Sequence, residues 1–81
     1  MTSLLDILRE IEPDAGWEAV MGVEYVRSPS AEAYLHRDRT LRTWRAVLVN
    51  PDCYTRVEVL HDEARTAVRM ALAGYRAKEK T

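Results

Sequence analysis

Cys53, His61 and His36 are the chain's soft metal ligands, and Cys53 with His61 is its nearest approach to a thiol–imidazole pair. Eight residues of extended chain separate those two, roughly 26 Å, which is far beyond one coordination sphere or one hydrogen bond. No CxxC or HxxxH spacing is present, so no metal and no cofactor are expected. The carboxylate pairs Glu10/Glu12 and Asp62/Glu63 fall at expected helix ends, where solvation and the helix dipole account for them. Gly16, Gly22 and Gly74 are scattered and form no phosphate-cradling loop. No catalytic residues are assigned, and the expectation is that the protein is not an enzyme.

One constellation remains. Arg37, Arg39, Arg42 and Arg45 gather around Trp44 in a chain of net charge -1. Residues 1–26 carry six acids and one base (-5), residues 27–45 five bases and two acids (+3), and residues 46–81 six bases and five acids (+1), which together give -1. Arginine's planar fork suits carboxylates, phosphates and aromatic faces. Arg37, Arg39 and Arg42 would project from a loop and strand start, with Arg45 extending that surface onto a sheet. In the opposing reading, Trp44 is core and the arginines pair with Glu18, Glu24 and Glu58 across strands for about 0.2–1 kcal/mol each.

These residues must be positioned by a single small domain, residues 1–81, with one core. An apolar content of 47% and a charged content of 31% are those of an ordinary globule. No apolar run reaches the roughly 20 residues of a membrane span. The start of the chain does not read as a signal peptide, and the lone Cys53 fits a reducing compartment, so a cytoplasmic location is expected.

Thr2 or Ser3 can cap a first helix, with Asp6 completing a box-like pattern after Ser3, before an apolar stripe of Leu4, Ile7, Leu8 and Ile11 that Pro13-Asp14-Ala15-Gly16 ends. From Trp17 the period becomes two. Trp17, Ala19, Met21, Val23 and Tyr25 are expected on one face of a strand, with Glu18, Val20, Gly22, Glu24 and Val26 on the other. Ser28-Pro29-Ser30 marks a turn, and residues 31–36 suit either a short helix or a strand. Leu41 to Val49 and Tyr54 to Leu60 read as strands joined by the Asn50-Pro51-Asp52 turn. Asp62 is the expected cap of a final helix whose stripe is Ala64, Ala67, Val68, Ala71, Leu72 and Tyr75.

The expected fold is α+β: an antiparallel three- or four-stranded sheet with two helices packed on one face. The helices would cover Trp17, Met21, Val23, Trp44, Leu48, Val57 and Val59. The outer face would show Glu18, Glu24, Arg45, Tyr54, Arg56 and Glu58, with Val20, Val26, Val47 and Val49 between them. Such a face suits a protein partner or a symmetric homodimer. The expected function is a small non-enzymatic binding protein acting through a protein partner. Phage and mobile-element inhibitors of host defence complexes, CRISPR effectors among them, share this size and absence of motifs. The partner-binding candidates are Arg37, Arg39, Arg42, Arg45, Glu24, Tyr54, Arg56 and Glu58.

The alternative is nucleic-acid binding. An order of helix, three strands and helix is similar to that of double-stranded RNA-binding domains, which implies recognition of shape and phosphates. Those domains carry a lysine cluster where this chain has His61-Asp62-Glu63-Ala64-Arg65, and a pI near 6.1 lacks the usual basic footprint.

Overall fold

The computed structural model describes residues 3–21, 25–50, 52 and 55–79. Helix α1 (Leu4–Ile11) opens on the expected box: the Ser3 hydroxyl accepts from the Asp6 N–H, and the Asp6 carboxylate accepts from the Ser3 N–H. Its stripe buries Leu4, Ile7 and Leu8, with Ile11 at the margin. Gly16, at φ 78°, turns the chain into Trp17.

Five strands follow: β1 (Glu18–Met21), β2 (Tyr25–Ser28), β3 (Ala31–Asp38), β4 (Thr43–Asn50) and β5 (Thr55–His61). They form one antiparallel meander in chain order, and α2 (Ala64–Glu79) closes the chain's elements. The α+β class is as expected, but the sheet has five strands rather than three or four. Two departures explain the difference. The period-two run from Trp17 to Val26 holds two strands paired with each other, Met21 opposite Tyr25, and a register shift between Ala19 and Met21 breaks the phase of the alternation. Val26, expected outside, is therefore fully buried, while Tyr25 takes the opposite face. Residues 31–36 are strand, because Ala31, Ala33 and Leu35 fill the core against β2 and β4. That packing outweighs the helix propensity of alanine and glutamate.

The register defines both faces. Val26, Ala33, Leu48 and Val57 form one row of the covered face, with Ala19 exposed at its end; Leu35, Ala46 and Val59 form the next, and Trp44 and His61, with exposed Arg37, the last. Ala67, Val68, Ala71, Leu72 and Tyr75 of α2 lie on β4 and β5, and α1 packs against α2 and β2, in a single core cluster. Val57 and Val59 are half-buried at its edge, and Trp17 is almost completely buried. The helix does not start on Asp62 as expected: His61 Nδ1 accepts from the Glu63 N–H at 3.1 Å, and α2 begins at Ala64.

A polar joint locks the layers. Arg76 donates to Glu12 through Nε at 2.8 Å and through the terminal nitrogen Nη2 at 2.7 Å. Trp17 Nε1 donates to the same carboxylate at 3.1 Å, and the Tyr75 hydroxyl donates to the Ser30 carbonyl at 2.8 Å. Arg65 pairs with Glu10 alongside. Glu10 and Glu12 are thus engaged by α2 rather than presented to a partner.

Candidate functional interface

Among the described residues, nothing covers the second face of the sheet. Its first row across the five strands is Glu18, Arg27, Glu32, Val49 and Arg56; its second runs Tyr25, Tyr34, Val47 and Glu58; its third runs His36, Arg45 and Leu60. Tyr25 and Tyr34 stack with ring centroids 4.6 Å apart and planes 9° from parallel. The Tyr34 hydroxyl also donates to Glu32 at 3.3 Å. Its hydrogen bond with Tyr25, partial burial and the Glu32 charge push the Tyr34 phenol up to about 12.

Arg45 lies 3.0 Å from Glu58 and 3.5 Å from Asp38, and Arg56 lies 3.2 Å from Glu58. These pairs are partly exposed, so they organise the face more than they stabilise it. Carboxylates of Glu18, Glu32, Asp38 and Glu58 are interspersed with Arg27, Arg45 and Arg56, leaving no continuous field of one sign.

The arginine segment does not form one surface. Arg45 belongs to the open face, whereas Arg37 shares a register position with Trp44 on the covered side and lies over its ring, 5.3 Å from the centroid. Arg39 and Arg42 occupy the four-residue turn between β3 and β4. Leu41, expected to start a strand, is in that turn too, because β4 begins at Thr43. The turn is held by Asp38, whose Oδ1 accepts from the Thr40 N–H at 2.9 Å and the Leu41 N–H at 3.0 Å. Those bonds, that to Leu41 foremost, keep the Asp38 carboxyl below its ordinary range.

Arg56 and Glu58 are on the open face as expected, while Glu24 and Tyr54 lie outside the described residues. Tyr25, Tyr34, Arg27, Glu32 and Leu60 belong to this face and were not among the sequence candidates. The alternation of Ala31, Ala33 and Leu35 with Glu32, Tyr34 and His36 carries the signal for β3.

A shallow, open hollow lies nearby, lined by Gly16, Glu18, Arg27, Ser28 and Pro29. Among the described residues no three His, Cys, Asp or Glu side chains gather as a metal site, and no helix is long and apolar enough to cross a membrane. No protein-family model, curated protein or solved structure matches this chain.

Proposed function

We propose that this is a non-enzymatic binding protein that engages another protein through the open face of its sheet. The observation that carries the reading is the uncovered five-strand surface, with a stacked tyrosine pair among valines and charges of both signs. Tyrosine supplies contact area with little side-chain entropy to lose, and interspersed charges fix register with a partner of complementary pattern. A phosphate backbone would meet four carboxylates on this face, which disfavours nucleic acid there. The five-strand order also departs from the three-strand order of double-stranded RNA-binding domains. An inhibitor of a host defence complex is one protein of this kind, and it would act by occupying a working surface of that complex.

The test is affinity capture from a lysate of the source cells, with and without nuclease, followed by mass spectrometry. A stoichiometric protein that survives nuclease and is lost with Tyr34→Arg is the expected result. Partners that vanish on nuclease treatment, or that bind Tyr34→Arg equally well, would overturn it.

A further inference from the structure

The open face alone is small. Its strands of four, four, eight, eight and seven residues span about 500 Å² at the usual strand spacing and rise, against about 800 Å² per partner in a stable interface. The turn between β3 and β4 lies at the end of that face and has the features of an anchor.

Leu41 is 57% exposed, the highest value among the exposed large apolar side chains of the described residues. Exposed Arg39 and Arg42 flank it, with exposed Arg37 one strand position below. The backbone that carries this group is held in place. Asp38 ties down the Thr40 and Leu41 amides, and Arg45 lies 3.5 Å from the same carboxylate. Arg42 sits at φ 55°, a left-handed conformation that favours Gly or Asn and costs an arginine about 1 kcal/mol. Much of the ordering that binding would require is already present in the turn.

From this we infer that the β3–β4 turn is a preformed anchor, inserting Leu41 into an apolar pocket of a protein partner while Arg39 and Arg42 pair with carboxylates at the pocket rim. The inference rests on the protein-binding reading and names where and to what chemistry it binds. Leucine has no hydrogen bond to offer a phosphate or a base edge. The register sets His61 beside Trp44, so exposed Asp62 and Glu63 follow directly at the neighbouring strand end. Those two acids would weaken the attraction of Arg37, Arg39 and Arg42 to a uniformly anionic membrane or duplex, whereas a protein surface can answer both signs.

The experiment selects peptides from a phage-displayed random library on the immobilised full chain. Their binding to the wild type, Leu41→Glu, Arg39→Glu with Arg42→Glu, and Tyr34→Arg is then measured by fluorescence polarisation. Selected peptides should combine apolar residues with Asp or Glu. They should bind Leu41→Glu and the double arginine variant at least about tenfold more weakly, a loss of about 1.4 kcal/mol, with melting temperatures unchanged. Arg42→Gly should melt no lower than the wild type, because it relieves the left-handed residue, yet bind more weakly. Peptides that bind Leu41→Glu as well as wild type, peptides without acidic residues, or no selected peptide at all would overturn the anchor. So would tighter binding to phosphatidylglycerol-containing vesicles or to a short DNA duplex. Loss with Tyr34→Arg alone would leave the sheet-face reading standing without the anchor. Indifference to both Tyr34→Arg and Leu41→Glu would remove both.

Discussion

Replacing Arg76 by methionine keeps the aliphatic stem and removes the guanidinium that joins the end of α2 to the exit of α1. The side chains of Arg76 and Glu12 are 27% and 22% exposed, so the pair stands between the surface and buried regimes. Exposed ion pairs contribute about 0–1 kcal/mol, and orphaning a buried partner costs about 3–5 kcal/mol. Two donors on one carboxylate and roughly three-quarters burial place the expected loss for Arg76→Met near 2 kcal/mol. For a domain of this size that is a large share of a total stability of about 4–12 kcal/mol, and lowers the melting temperature by about 8–16 °C. Urea unfolding followed by tryptophan fluorescence reads it, since Trp17 is buried and bonded to the same carboxylate.

A double-mutant cycle with Glu12→Gln should give a coupling of about 1–1.5 kcal/mol. Coupling below about 0.3 kcal/mol would refute the lock, because the two groups would then be solvated neighbours. The pH dependence has a definite sign. Hydrogen bonding to Arg76 lowers the Glu12 pKa below its ordinary 4.5. Its contribution is therefore complete above that value and lost as pH falls through the depressed folded value, and Glu12→Gln should flatten this part of the acid profile.

Two further outcomes check the assignment of faces and of the tyrosine pair. Leu48→Ala should cost about 2–5 kcal/mol in urea unfolding, whereas Leu60→Ala, on the open face, should stay within about 0.5 kcal/mol, and equal losses would mean that the faces are misassigned. In an alkaline absorbance titration one phenol should ionise near 12, and Tyr25→Phe should bring it back towards 10; because the neutral phenol is the form favoured by folding, that contribution is whole below pH 10 and lost as pH rises through 12.

The elements legible in the sequence were those whose period ran unbroken between strong punctuation. The Ser3–Asp6 cap, the stripes of both helices, and the alternation of Trp44, Ala46 and Leu48 all stand as read. What escaped was phase. Glu18 to Val26 reads as one alternating run only if the punctuation at Gly22 is passed over, and with the division into two strands goes the side to which Tyr25 points. Alanine at positions 31 and 33 satisfies a helix locally and a crowded sheet centre globally, and only the neighbouring strands decide between them. The Arg76–Glu12 joint spans 64 positions, a separation for which one sequence contains no signal. The arginine segment was conspicuous, but its division between two faces and a turn follows from where the hairpin bends.

A sheet whose spatial order equals its chain order lets each strand pair with the one just made, across short loops that cost little entropy to close. Its covered face behaves otherwise. Ala46 and Leu48 gain their full cover only when α2 docks on β4 and β5, and its hydrogen bonds reach back 45 positions to Ser30 and 64 to Glu12. During folding the meander can thus form while its apolar side still lacks the second helix, and the molecule is most prone to aggregate in the interval before α2 docks.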